Sequence, residues 1–311
     1  MTVTVETPPT KSRSPAIGYW CGVTMAVGAS VSFAAARAGI IGGLAPDDMI
    51  FARYAVAGLV MLPSLVYWGL PDLAAIGWRR GLILSICGGA PFALLQTGGY
   101  AFAPLAHGAV IAPSTVTIVS TVAAGILLGE TLTRSHLAGA ALVLAGILMI
   151  GWQGVAGRIA GEAAWIGDIL FFVSSLLWAT FTVLIRWWKV DAVRATAVVA
   201  VLSLFVFAPA YLVYRGPQHL AGLPLLPLVF QGIVQGLVQA VLTIMAYNRA
   251  IAILGVSRAV LFPALVPAMS VLIGIPAVGE MPNALQIAGL IAVSAGMLLA
   301  VGMFTRSRVP Q

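Results

Sequence analysis

Ten apolar runs succeed one another along this chain, each about as long as a bilayer core requires. They constrain the fold more than any other feature. They span residues 17–36, 49–69, 81–100, 108–129, 135–152, 165–185, 195–214, 228–248, 259–279 and 284–304. A helix crosses the hydrocarbon core with roughly 20 apolar residues. The runs are too long, and alternate too little, for barrel strands. Composition agrees, with 61% of residues hydrophobic and 8% charged, against roughly 25% charged in an average soluble domain. Such a chain cannot cover a globule with water-compatible side chains, which excludes soluble enzymes, nucleic-acid binders and disordered chains. The net charge of +7 does not reverse this, because the basic residues are scattered between the runs and form no stripe for phosphates. Cys21 and Cys87 both lie inside apolar runs and suggest no disulfide framework.

Ten spans put both termini on one side. With the N-terminus inside, the inner segments hold Lys11, Arg13, Arg79, Arg80, Arg134, Arg186, Lys189, Arg194, Arg249, Arg258, Arg306 and Arg308. Only Arg37, Arg53, Arg158 and Arg215 are left outside. The positive-inside rule therefore places both termini in the cytoplasm of a bacterial-type inner membrane. The polar first segment followed by a long apolar run mimics a signal peptide. Its length and the nine spans behind it identify a retained first helix.

A shift of 150 residues superimposes the fourth and fifth runs on the ninth and tenth. Pro113, Ser120, Gly129, Glu130, Gly139 and Gly146 fall on Pro263, Ser270, Gly279, Glu280, Gly289 and Gly296. At an offset of 149, Arg37 falls on Arg186. Each half holds five spans, an odd number, so the second half enters the membrane from the opposite face. The expected fold is all-α and polytopic, with ten transmembrane helices as two inverted five-helix repeats. The expected organisation is a disordered cytoplasmic tail over 1–16, a first repeat over 17–152, a periplasmic linker over 153–164, a second repeat over 165–304 and a cytoplasmic tail over 305–311. Inverted repeats are a recurrent device of secondary transporters.

The order and spacing of several short motifs resemble the drug/metabolite transporter superfamily in its ten-helix EamA-type branch. The matching residues are Pro46 and Arg53 early in the second helix, Gly167-Asp168 and Trp178-Ala179 in the sixth, the duplicated Gly129-Glu130 and Gly279-Glu280, and Pro263 and Pro267 in the ninth. The resemblance covers residues 17–304. It implies a cavity between the halves, lined largely by the first, third, fourth, sixth, eighth and ninth helices. It further implies transport of small metabolites, with amino-acid exporters the nearest analogy.

Polar residues at lipid depth are expensive and usually face protein or water. In the eighth helix Gln231, Gln235, Gln239, Thr243 and Tyr247 recur every four residues and form one slowly winding stripe. It suits a transport pathway; the bland alternative is hydrogen bonding between helices. Gln96 and Tyr100 lie one turn apart in the third helix, with Pro91 breaking it above them. Ser114 and Thr117 share a face of the fourth, where back-bonding to the helix is the alternative. Trp178 and Thr182 share a face of the sixth with Ser174, and Trp178 suits substrate stacking and core packing equally. These are the candidate cavity residues. Pro113, Pro263 and Pro267 each are expected to leave a carbonyl without its helical partner, and with Pro91 and Arg53 they are candidate kink or gate positions. Arg53 is expected to pair with Asp47, Asp48 or a neighbouring helix, or to form part of an outer gate.

Glu130 and Glu280 precede helices opened by Thr133 and Asn283, and read as structural. Asn283 with Gln286 resembles a capping box. Gly139, Gly146, Gly289 and Gly296 allow close helix packing, as scaffold or a dimer face. Arg37 and His107 read as solvated loop residues. No acid sits at mid-membrane, which points to neutral or zwitterionic cargo rather than a deep proton relay. The chain lacks G-x-S-x-G, H-E-x-x-H and clustered metal-ligand motifs. No enzyme activity, cofactor or metal is expected. The expected partners are a small-molecule substrate and the lipid bilayer, with no nucleic acid, and the expected state is a monomer or weak homodimer. The sequence-based reading is export of a small polar metabolite, an amino acid foremost, by alternating access. Its alternatives are transport of nucleobases, quaternary amines or other metabolites and drugs, or a channel-like facilitator.

Overall fold

The computed structural model describes residues 14–128, 133–155, 163–259 and 261–300, and among them every regular element is helical. Helices α1 (Pro15–Ile41) and α2 (Pro46–Trp68) are followed by α3 (Trp78–Gly88) and α4 (Ala90–Gly99), then α5 (Leu105–Leu128) and α6 (Arg134–Val155). The second half holds α7 (Ala164–Trp187), α8 (Ala192–Arg215) and a short α9 (Pro217–Gly222). Next come α10 (Leu225–Gln231), a π-helical stretch (Gly232–Thr243) and α11 (Ile244–Leu254). The last elements are α12 (Val256–Ala259), α13 (Leu261–Val278) and α14 (Ala284–Ala300).

Among the described residues seven segments are long and apolar enough to cross a membrane unaided, and the apolar helices α5, α6 and α14 stand in the fourth, fifth and tenth places. Two spans are interrupted. The third runs from Trp78 to Gly99 as α3 and α4, broken at Gly89. A Cβ there would collide with the Ser85 carbonyl and the Ser203 hydroxyl, and Pro91 in the first turn of α4 has no N–H to continue the ladder. The Ala90 N–H freed by the break is satisfied by the Ser203 hydroxyl at 3.2 Å, as a broken helix at membrane depth requires. The eighth span, Leu225–Leu254, is α10, the π-helical stretch and α11 in one line.

The packing follows a two-fold pattern. α1 lies against α13, α11 and the π-helical stretch of the second half, and α7 lies against α5, α4 and α3 of the first. The leading helix of each repeat is thus exchanged into the other. α2 packs on α8, α5 on α13 and α6 on α14, each pair joining equivalent helices. The last pair reports orientation. A Cβ on Gly139 would stand 2.6 Å from the Gly296 carbonyl, and one on Gly146 would stand 2.7 Å from the Gly289 carbonyl. The earlier glycine of α6 meets the later glycine of α14, so the helices are antiparallel. Repeats pointing the same way would have made them parallel. The four glycines serve this internal seam, where backbones touch and no side chain fits.

Both ends of the bundle are tied. Arg37, Asp47, Asp48, His107, Asp168, Arg215, His219 and Glu280 form ion pairs at one end. At the other, Arg80 lies over the Trp188 ring at 5.4 Å and Arg194 over Trp68 at 5.9 Å.

Candidate functional site

The glutamine stripe of the eighth span divides into two uses. Gln231 Nε2 donates to the Ala35 carbonyl at 2.6 Å and Gln235 Nε2 to the Ser32 carbonyl at 2.8 Å. Both residues are buried. These amides fasten α1 to the second repeat, which is the interhelical use that the sequence left as the alternative for Gln235. A π-helix bonds i to i+5 and fits more residues into each turn than the 3.6 of an α-helix. Residues four apart therefore stay nearly in line.

Further along, Gln239 is half-buried and its Oε1 has no hydrogen-bond partner. The Thr243 hydroxyl is buried and unpartnered too, and would lie 2.6 Å from a Cβ on Gly28 of α1. Tyr247 packs beside Phe262, Met25 and Val266.

The equivalent span of the first half repeats the device. Ser174 of α7 donates to Gln96 Oε1 at 2.7 Å, so a glutamine of each interrupted span holds the exchanged leading helix. Gln96 Nε2 and the Tyr100 hydroxyl are buried beside each other and find no well-aligned hydrogen-bond partner among the described residues. Tyr100 stands edge-on to Phe171 with centroids 4.8 Å apart, and lies over Gly108, where a Cβ would meet its ring at 2.6 Å. Trp178 is half-buried in a stack with Phe92 at 5.0 Å and Phe181 at 4.9 Å.

Several sequence expectations are corrected. Thr117 donates to the Pro113 carbonyl at 2.8 Å, so its hydroxyl back-bonds to its own helix, and Thr182 does the same to Ala179 at 2.7 Å. Ser114, by contrast, is buried with its hydroxyl unpartnered. Pro113 and Pro267 are interior to their helices. Arg53 forms no ion pair among the described residues, because its two expected acids are taken. Asp47 accepts both Nε and Nη2 of Arg215, at 2.6 and 2.8 Å. Asp48 accepts the Tyr211 hydroxyl at 2.6 Å, His219 Nε2 at 2.9 Å and the Ala45 N–H at 3.1 Å.

Arg37 and His107 are not solvated. Arg37 bonds Glu280 at 2.6 Å and also the Tyr100 carbonyl, while Glu280 Oε2 accepts the Leu105 N–H at 2.8 Å. Glu280 thereby joins α1, the 100–104 turn and the 279–283 turn. His107 has 0% exposure, and its Nδ1 lies 2.7 Å from Asp168. Apolar neighbours in sequence gave these residues the look of loop ends, and only the exchanged helices bring their partners near. Asn283 and Gln286 form the expected capping box, with both reciprocal bonds at 3.0 Å. Glu130 lies outside the described residues.

Two pockets open at the ion-paired end. One of ≈ 200 Å³ surrounds Arg37, Glu280, Leu105 and Gln286. The other, of ≈ 420 Å³, lies beside Asp47, Tyr211 and Arg215. None of the predicted cavity residues lines either.

The sequence matches the EamA-like transporter family twice, over residues 16–152 and 165–302. The chain belongs to that family. The two EamA matches coincide with the two halves that exchange their leading helices. Over 281 residues the chain is 26% identical to the uncharacterized transporter YyaM of Bacillus subtilis (strain 168), spanning 87% of this chain and 88% of that protein. A solved crystal structure with 19% sequence identity superposes with a TM-score of 0.59, over 94% of this chain and 98% of the other. That likeness shows the fold alone. This EamA protein is a multi-pass membrane protein of a transporter family.

Proposed function

We propose that this protein exports a small polar metabolite, an amino acid foremost, across the bacterial inner membrane by alternating access. The observation that carries the proposal is the exchange of leading helices around an antiparallel glycine seam. Two near-equivalent halves can then trade conformations, opening one end while closing the other. In this reading the ion-paired end is the closed outer mouth, and both termini are cytoplasmic. The arginines and Lys189 gathered at the other end support that orientation.

The unpartnered groups of the interior support a polar cargo with both donors and acceptors. Gln96 Nε2 offers a donor, Gln239 Oε1 an acceptor, and the hydroxyls of Ser114, Tyr100 and Thr243 offer either. A binding site that is to be refilled by successive substrates keeps such groups free. The test is counterflow in liposomes loaded with unlabelled amino acids, nucleobases or quaternary amines. Saturable exchange of labelled amino acids is the expected result. Exchange confined to the other two classes removes the amino-acid assignment, and linear, unsaturable flux makes the protein a channel.

A further inference from the structure

Among the described residues Arg53 has no anion. It stands seven residues inside α2, about 10 Å from the helix start at 1.5 Å per residue. Its side chain is half-buried, and its Nε is inaccessible and has no hydrogen-bond partner. Tyr54 lies beside it, with the ring centroid 5.6 Å from the guanidinium carbon and the hydroxyl turned to the guanidinium. The acids nearest in sequence are fully committed, Asp47 to Arg215 and Asp48 to Tyr211, His219 and Ala45.

The surroundings place this arginine between the two interrupted spans. The Tyr54 hydroxyl reaches the Gly88 carbonyl at the α3–α4 break at 3.5 Å. On the other side a Cβ on Gly236 would stand 2.6 Å from the Arg53 carbonyl, so the π-helical stretch rests on this turn of α2. Gln239, with its free carbonyl oxygen, follows three residues later on that stretch. An unpaired charge at lipid depth is expensive and faces water or a partner. A planar guanidinium is suited to a bidentate oxyanion.

We propose that Arg53 is the anchor for a carboxylate on the transported solute. A carboxylate offers the guanidinium the paired oxygens that no described acid supplies. The inference deepens the transporter reading and rests on it for the word "transported"; the binding claim itself is tested without flux.

The purified full-length protein is melted in detergent with leucine, lactate, leucinamide, lactamide or inorganic phosphate, at constant ionic strength. The carboxylates are expected to raise the melting temperature. Each amide should need at least tenfold more ligand for the same rise. Arg53→Gln should weaken the carboxylate effect at least tenfold, and Arg53→Lys should restore part of it. Equal stabilisation by acid and amide overturns the inference in the wild type alone, whether or not the variants fold. So does an unchanged carboxylate effect in Arg53→Gln, or no carboxylate effect at all. A phosphate effect exceeding that of both carboxylates reassigns the anion and overturns it as well. Carboxylate binding without counterflow in liposomes would sink the transporter reading and leave the anchor standing. Counterflow with no acid–amide discrimination would do the reverse.

Discussion

Arg37 and Glu280 are 243 positions apart in the chain and 2.6 Å apart in space. The pair joins the end of the first helix to the turn before the last, and through Glu280 Oε2 it holds the start of α5 as well. Its side chains are 16% and 26% exposed, so it is screened far less than a surface pair. Glu280→Gln keeps the shape and removes the charge. The expected loss is about 1–3 kcal/mol of stability, the range for a charged hydrogen bond, read as a lower melting temperature. The end proposed as the outer mouth should also open more often. With Cys21 and Cys87 replaced by Ser, a cysteine at Val271, which lines the adjoining pocket, should react several-fold faster with an impermeant maleimide added outside. An unchanged rate would show that this pair does not hold the mouth closed.

The α6–α14 seam predicts a sharp contrast between glycines. A Cβ on Gly139 collides with the backbone N of Ala300 and lies 2.6 Å from the Gly296 carbonyl. Backbone cannot rotate away as a side chain can. Gly139→Ala is therefore expected to cost about 1–3 kcal/mol, the range for overpacking. Gly98, whose nearest neighbour would be Leu170 at 3.9 Å, should accept Ala without loss. Melting curves of the two variants in one detergent check this, and equal curves would contradict the seam.

Asp48 is 1% exposed and accepts three hydrogen bonds from three elements. Asp48→Ala strands the Tyr211 hydroxyl and His219 and deletes the cap of α2. The expected cost is about 3–5 kcal/mol, as for removing one partner of a buried polar pair. Tyr211→Phe removes a single donor and should cost about 1–2 kcal/mol. Thermal unfolding should rank the two in that order, and a Tyr211→Phe loss equal to that of Asp48→Ala would mean that Tyr211 alone carries the cluster.

The spans, their inversion and the glycine seam were all legible in the sequence, because each follows from apolar run length, an odd count and a repeat in register. Contacts between exchanged helices were not. Local sequence points the wrong way: Arg53 has Asp47 and Asp48 close by and finds no acid among the described residues, while Arg37 has only apolar neighbours and finds Glu280. The division of the glutamine stripe was hidden for another reason. Its four-residue spacing suits an α-helix approximately and a π-helix better, and only the observed i to i+5 bonding decides which side chains stay against α1. Thr117 illustrates a third limit, because a hydroxyl one turn after a proline can satisfy its own helix as readily as a ligand.

Gln235 and Gln239 separate fastening from transport most cleanly. They are chemically identical, one turn apart, and differ in what they touch. Gln235 spends its amide N–H on the Ser32 carbonyl, a bond between helices worth about 0.6 kcal/mol on average in a membrane and up to about 1.7. Gln235→Leu should therefore lower the melting temperature slightly. Exchange should persist, because α1 keeps the Gln231 bond to Ala35. Gln239 leaves its carbonyl oxygen unused. Gln239→Leu should melt like the wild type, or a little higher, while counterflow falls at least tenfold. The measurement is flux and melting on the same two preparations. The reverse pattern, with flux lost at 235 and kept at 239, would move the pathway to the α1 side of the span.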